Sequence, residues 1–305
     1  MAVAKRLAAI DLGSNSFHLL LAQALPGGGY KIIARQRQKV RLADGLQANG
    51  ELDQAAIERG VACLDGFRNY LARGHIQHIR CVATAALRQA SNSDAVINAF
   101  EQALGVPIEL ISGNTEAELI YQGATAALAN SQQAMLVLDI GGASTEIIAG
   151  NGMIPHYLES LDMGCVIWQN RYFPDGLIST EALQQAVAAA SSLVAPFSID
   201  FQRYPWQAVV GASGTFRALY DILQRDQLNC IDPLWLQQVV ERALAIGHCQ
   251  RLGKLGVRKD RQAVFMGGLT ILLGLLQQLP IARIELAQGA LREGLAQQLA
   301  LRQSS

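Results

Sequence analysis

This 305-residue chain has no excess charge of either sign: 25 Lys and Arg balance 25 Asp and Glu, and only 16% of residues are charged. A general nucleic-acid binder carries a basic surplus, so the balance argues against a nucleic-acid polymer as partner. Cysteines are few. The five (Cys63, Cys81, Cys165, Cys230, Cys249) are odd in number and scattered, with no Cys-x-x-Cys pair. That argues against a disulfide or zinc framework and reads as reduced, mostly buried thiols in a cytoplasmic protein. The longest apolar stretch, Leu269 to Leu276, is too short to span a membrane, so no membrane is expected as partner. Asp11 interrupts the first apolar run, which is not the pattern of a signal peptide. The five histidines (His18, His75, His78, His156, His248) lack metal-ligand spacing. No run of Pro, Ser or charge marks a linker.

What is abundant is apolar residue, at 50%. That is enough for a full core and speaks against disorder, and the length suits two domains. The strongest internal signal is an echo. Asp11-Leu12-Gly13-Ser14-Asn15-Ser16 recurs as Asp139-Ile140-Gly141-Gly142-Ala143-Ser144. Each copy follows one apolar run, leads into another, and then reaches a glycine-rich turn (Pro26 to Gly29; Gly150 to Gly152). Each reads as strand, tight polar turn, strand, turn, strand. A turn rich in Gly, Ser and Asn exposes backbone N–H groups and can wrap a phosphate. Two such turns on two similar domains suggest a cleft that grips a phosphate chain from both sides.

Between the echoes, strand and helix patterns alternate, so the fold class is α/β with part of each sheet parallel. The first half predicts a helix from Asp53 to Arg73 stopped by Gly74, and a strand from His78 to Ala83. A helix capped by Asn92 or Ser93, a strand from Pro107 to Ile111 and a helix capped by Asn114 follow. The second half predicts a strand near Ile154 to Leu158, helices from Thr180 to Leu193, Leu234 to Ile246 and Gln262 to Leu276, and strands at 208–210 and 284–286. The repeat places the domain boundary near Leu128 to Gln133. This gives domains 1–129 and 130–305, with the option that the final helix packs back on the first domain.

Several residues carry chemistry in this arrangement, each with a plainer alternative. Asp139 and Glu146, seven apart, can hold Mg²⁺ at one mouth, because hard oxygens near phosphate suit that ion; Asp11 and Asp139 can also simply brace their turns. Glu116 in the first turn of a helix reads as a general base for water, or as a favourable charge on the helix dipole. Arg88 after a buried strand reads as a phosphate contact or a helix-start arginine. Arg35, Arg37, Lys39 and Arg41 alternate along a strand and share one face, a track for a polyanion or a guarded sheet edge. Arg251, Lys254, Arg258, Lys259 and Arg261 form a looser basic cluster. Gly211 to Thr215 is a third backbone-donor turn. His18 adjoins the first turn and is within reach of a ligand there.

Taken together, Ala8 to His18, Ala83 to Ala90, Ile111 to Ala117, Asp139 to Glu146, Gly211 to Thr215 and Gly289 to Gly294 resemble the exopolyphosphatase/guanosine pentaphosphate phosphohydrolase family. That family lies within the actin-like and sugar-kinase-like ATPase superfamily. The resemblance implies two ribonuclease-H-like domains with an interdomain cleft. It implies Mg²⁺-dependent release of terminal phosphate from polyphosphate, or of the 5′ γ-phosphate from guanosine pentaphosphate. By position it implies that Glu116 is the catalytic carboxylate and that Asp139 and Glu146 are metal-linked acids. Ser14, Asn15, Ser16, Gly141, Gly142, Ala143, Ser144 and Thr145 match the phosphate turns, and Arg88 the phosphate-contacting arginine. Three positions depart from the family pattern: Ala143 replaces a usual glycine, Thr115 a common acid, and Gln288 a frequent Asp. The chain ends soon after Gly294, as in a short form without the C-terminal helical domain, which implies shorter substrates or distributive release. A homodimer is compatible with these features. Two other readings stay open: a guanosine polyphosphate or polyphosphate sensor that does not hydrolyse, and an ATP-dependent kinase of the same superfamily.

Overall fold

A computed structural model describes residues 5–26, 28–126 and 133–303. Gly27 of the first glycine-rich turn and most of the expected boundary near 128–133 lie outside the described residues. Each echoed segment forms a three-stranded meander. β1 (Arg6–Leu12) runs antiparallel to β2 (Ser16–Ala24), and β2 to β3 (Tyr30–Lys39). α1 (Gln54–Gly74), β4 (His78–Ala83), α2 (Ala85–Gln89), α3 (Ser93–Leu104), β5 (Ile108–Leu110) and α4 (Gly113–Ala126) follow. The second meander is β6 (Ala134–Ile140), β7 (Thr145–Asn151) and β8 (Ile154–Leu161). After it come α5 (Cys165–Tyr172), α6 (Thr180–Val194), α7 (Ser198–Gln202), β9 (Ala208–Ala212) and α8 (Ser213–Arg225). The chain closes with α9 (Pro233–Ile246), α10 (Phe265–Gln278), β10 (Glu285–Leu286) and α11 (Leu291–Arg302).

The two sheets have the orders β3-β2-β1-β4-β5 and β10-β9-β6-β7-β8. In both, the second strand of the meander is antiparallel and the later strands add parallel to the first. This is the ribonuclease-H-like α/β arrangement, present twice. Apolar residues on both faces of the first two strands explain it. Alternate residues of β1 and β2 (Ala8, Ile10, Leu12, Phe17, Leu19, Leu21) face a core shared with α1 and α3. There Phe17 meets Phe100 edge-on at 5.7 Å.

The chain divides into two compact units, Met1–Ala127 with Gly289–Ser305, and Leu128–Gln288. α11 therefore belongs to the first unit, where the contiguous division 130–305 would have grouped it with the second. Two glycines permit this. A Cβ on Gly123 would overlap the Ala290 carbonyl, and one on Gly294 the Leu119 carbonyl, so α4 and α11 approach at backbone distance.

Local details differ from the sequence pattern for identifiable reasons. Asp53 caps α1 by accepting from Ala56 N at 2.6 Å, a contact worth about 1 kcal/mol. The helix ends one residue later than expected, with His75 in the left-handed region at φ 48°. α4 begins at Gly113, so Asn114 lies inside the first turn; Ser112 Oγ accepts from Thr115 N at 3.1 Å instead. β3 stops at Lys39, which leaves Arg41 off the strand at φ 56°. The segment Thr180–Gln202 is long and apolar enough to cross a membrane by length and composition, and α6 within it packs against α10. All five cysteines are free, four of them buried.

Candidate active site

In the first unit the candidate residues form a charged row across three strands. Register puts His18 of β2 beside Asp11 of β1, and Arg37 of β3 beside His18, so all three stand on one face. Arg35 beside Leu20 and Lys39 beside Ser16 share that face; Arg41 does not belong to it. Arg37 Nε donates to Ser16 Oγ at 3.4 Å. The start of α11 adds two charges. Arg292 Nη1 lies 2.6 Å from His18 Nδ1; a guanidinium only donates, so this imidazole nitrogen accepts. Glu293 pairs with Arg35 at 3.4 Å and accepts from the Ala290 amide at 3.0 Å.

Glu116 projects from the first turn of α4 and is buried. Its Oε2 accepts from Arg88 Nη1 at 2.7 Å, and the same nitrogen reaches the Ile111 carbonyl at 3.1 Å. Burial raises the proton affinity of Glu116 while Arg88 pulls it back. Asp11 is pushed up to about 7, first by burial and then by the Glu116 charge, against the pull of Arg292. Arg88 thus holds the carboxylate through Nη1.

The turn between β1 and β2 is tied from behind. Ala43 N donates to the Ser14 carbonyl, and Val40 and Arg41 N donate to the Asn15 carbonyl. In a trans peptide the following N–H points the opposite way, so the amides of Asn15 and Ser16 face away from that connection. Ser14 Oγ accepts from Ala86 N at 3.2 Å and anchors the turn to α2. Among the described residues, Asp11 Oδ1 and Asn15 Nδ2 are buried with no hydrogen-bond partner.

The second unit repeats the backbone with different chemistry. Asp139 on β6 stands opposite Glu146 on β7, and Glu146 opposite Ser160 on β8. Both carboxylates are buried, and directly opposed residues have Cβ atoms about 5 Å apart. Ser160 Oγ donates to Glu146 Oε1 at 2.9 Å. Among the described residues no group of three His, Cys, Asp or Glu side chains is placed to hold a metal. Two adjacent carboxylates suit Mg²⁺, which keeps several waters and takes phosphate oxygens as further ligands.

The second turn closes through Gly141 N to Ser144 O at 2.9 Å. Cys165 N and Val166 N hold the Gly141 and Gly142 carbonyls, so the Gly142 and Ala143 amides point the other way. Gly164 lies flat on the Gly142–Ala143 peptide, where any Cβ would overlap it. Ala143 is not among the residues with positive φ, so alanine costs this turn no backbone strain and its amide still donates. Thr145 is fully buried and its hydroxyl donates to Met163 O at 2.6 Å, a structural tie. Ser144 is also buried.

The third turn leads from β9 into α8 with Ser213 in the left-handed region at φ 78°. The Arg261 guanidinium packs on Gly214, which brings one member of the second basic cluster to this turn. Arg258 is paired with Asp260 at 3.3 Å. Among the other histidines, His156 stacks on Tyr204 and His248 Nδ1 accepts from Gln250 N at 3.1 Å. Sequence reasoning gave no role to Arg292. The available signal was Gly289 to Gly294, whose helix start carries the charge to the Asp11 row.

A model of the Ppx/GppA phosphatase family matches residues 22–303. An exopolyphosphatase from Cytophaga hutchinsonii has the same fold, with a TM-score of 0.86 at 22% identity over 97% of this chain and 98% of that one. A Ppx/GppA family member from Aquifex aeolicus matches with a TM-score of 0.80 at 22% identity, over 99% of this chain and 100% of that one.

Proposed function

This chain belongs to the Ppx/GppA phosphatase family, and we propose that it is a Mg²⁺-dependent phosphohydrolase that releases terminal phosphate from inorganic polyphosphate or the 5′ γ-phosphate from guanosine pentaphosphate. The observation that carries the reading is the pair of orphaned atoms on the first turn. A buried acceptor, Asp11 Oδ1 near the end of β1, and a buried donor, Asn15 Nδ2 in the turn that follows, lack partners among the described residues, and the Asn15 and Ser16 amides face away from the 40–43 connection. Leaving such groups unmet costs about 1–3 kcal/mol each, and a phosphate with its attendant water supplies both partners. The relatives described as an exopolyphosphatase and as Ppx/GppA proteins support the same substrate class.

In this reading Glu116 activates the attacking water, with its orientation set by Arg88. The Asn15, Ser16, Gly142 and Ala143 amides bind phosphate oxygens, and the Arg35, Arg37 and Lys39 face attracts the rest of the anion. Asp139 and Glu146 would hold Mg²⁺, with Ser160 orienting Glu146; the ion offsets phosphate charge when bound. Catalysis is then positioning plus electrostatics, the usual demand of phosphoryl transfer. Scattered free cysteines support a cytoplasmic setting, and the balanced charge supports a small anion and not a nucleic-acid polymer as substrate.

Phosphate release from short polyphosphate, long polyphosphate and guanosine pentaphosphate, with Mg²⁺ and with Glu116→Ala as control, tests this. Release that vanishes in the variant is expected. Tight binding without release would favour the sensor, and transfer to an acceptor other than water the kinase.

A further inference from the structure

The two turns are held from behind in different ways. In the second unit the Gly141 and Gly142 carbonyls accept from Cys165 N and Val166 N, the first amides of α5. The positive pole of that helix therefore stands behind the turn. In the first unit the matching carbonyls, Ser14 and Asn15, accept from Ala43 N and from Val40 N and Arg41 N. Val40 and Arg41 lie between β3 and a three-residue 3₁₀ turn, Ala43–Gly45, so no comparable helix pole stands there.

A side chain supplies the positive charge instead. Arg59 of α1 donates from Nε to the Val40 carbonyl at 2.7 Å and from Nη2 to the Arg41 carbonyl at 3.2 Å. Among the described residues it pairs with no acid, so its guanidinium goes to these two carbonyls. Asp53, which caps α1, donates its own N–H to the Gly45 carbonyl at 2.9 Å. The connection is thus fastened to the helix that carries Arg59. Arg41 sits in the left-handed region at φ 56°, which a non-glycine residue keeps only where its surroundings hold it.

The Val40 carbonyl and the Arg41 N–H are two ends of one peptide group, as are the Asn15 carbonyl and the Ser16 N–H. Arg41 N donates to the Asn15 carbonyl at 3.0 Å. A hydrogen-bonded line therefore runs from the guanidinium through two peptide groups to the Ser16 amide, which points away from the connection. Groups in such a line polarise one another, so a cation at its head strengthens the donor at its tail.

We propose that Arg59 is the positioning residue of the first phosphate turn: through the Val40–Arg41 and Asn15–Ser16 peptides it aims and strengthens the Ser16 amide as a donor to a phosphate oxygen. Arg59 itself touches no substrate. It takes the place that the start of α5 holds behind the second turn. The proposal rests on the hydrolase reading only in taking the first turn as a phosphate site.

The test uses the full chain as wild type, Arg59→Met, which keeps the stem and removes the donors, and Arg59→Lys, which keeps the charge. Folding is checked by thermal melts. Inorganic phosphate, without metal, is titrated into nitrogen-15-labelled protein, and the Ser16 amide is followed by NMR. Its proton should move downfield in the wild type as phosphate binds. In Arg59→Met that resonance should start upfield of the wild type. Phosphate affinity should fall about 5- to 10-fold, as expected when a charge-assisted line becomes a neutral one. kcat/KM for short polyphosphate should fall about 10-fold, less than the roughly 10²-fold that a 1 Å misplacement costs. Arg59→Lys should recover part of each loss. An Arg59→Met protein that melts lower yet keeps the wild-type Ser16 resonance and phosphate affinity overturns the proposal, because Arg59 is then a structural tie alone. So does a wild-type Ser16 amide that does not respond to phosphate. If Arg59→Met does not fold, Arg59→Gln, neutral but still a donor, is read by the same two criteria. A wild type that binds phosphate with this dependence on Arg59, but hydrolyses none of the three substrates, overturns the hydrolase reading and leaves the role of Arg59 standing.

Discussion

The two meanders put opposite chemistry on the same backbone. In the first, the row across the sheet is Asp11, His18, Arg37; in the second it is Asp139, Glu146, Ser160. The first and second members are seven residues apart in both copies. The threonine ties repeat as well. Thr84 donates to the Leu12 carbonyl at 3.4 Å and Thr215 to the Ile140 carbonyl at 3.1 Å, each at the residue after the aspartate. The scaffold is thus duplicated down to a hydroxyl. The rows differ at two positions, histidine against glutamate and arginine against serine, and this turns one toward anions and the other toward a cation. In the first row Asp11 stands among mixed charges, with Glu116 and Glu293 raising its proton affinity and Arg292 lowering it. In the second, two carboxylates stand side by side, an arrangement that is costly without a counter-ion.

The comparison can be broken in order of effect. Glu116→Gln should cost about 10²–10⁴-fold in kcat with the melting temperature preserved, measured as phosphate release. A smaller loss would leave Glu116 as a helix-dipole charge. Gly123→Ala should destabilise the first unit by about 1–3 kcal/mol in denaturant melts, because its Cβ meets the Ala290 carbonyl of α11. The matched loss of activity would show that α11 belongs to the working row. Ser160→Ala removes the donor to Glu146 and should weaken Mg²⁺ binding about 10-fold by calorimetry, as loss of an outer-shell partner does.

The pH dependence separates the rows further. The raised Asp11 carboxyl binds its proton more tightly in the folded than in the unfolded chain. The stability it contributes is therefore fully present below the ordinary aspartate value of 3.8, and it is lost as pH rises through about 7. Melts of Asp11→Asn should lack that decline. The smallest effect is expected from Ala143→Gly. It should leave phosphate release within about 3-fold and lower stability by less than about 1 kcal/mol, since the residue is not at positive φ.

Much of this was legible in the sequence. Continuous apolar runs on either side of Asp11 and Asp139 marked the strands of both meanders, and alternation of strand and helix marked the sheet class. The Asp139–Glu146 pair was readable because a tight hairpin brings residues seven apart directly opposite each other. What was not readable depends on long-range packing. The grip of Arg88 on Glu116 joins α2 to α4, and Arg292 reaches His18 across 274 positions of sequence. Spacing along the chain carries no trace of such contacts. The start of α4 was missed by two residues because Ser112 competed with Asn114 as a cap and both are good acceptors. Arg41 was read into the strand because its spacing continued the pattern, while its left-handed backbone ends it.

The most direct test of opposite chemistry on matched rows is Mg²⁺ binding by calorimetry to the wild type, Asp11→Asn and Glu146→Gln without substrate. The account expects Asp11→Asn to bind as the wild type does and Glu146→Gln to lose most of its affinity. Equal loss in both variants, or loss in Asp11→Asn alone, would contradict it.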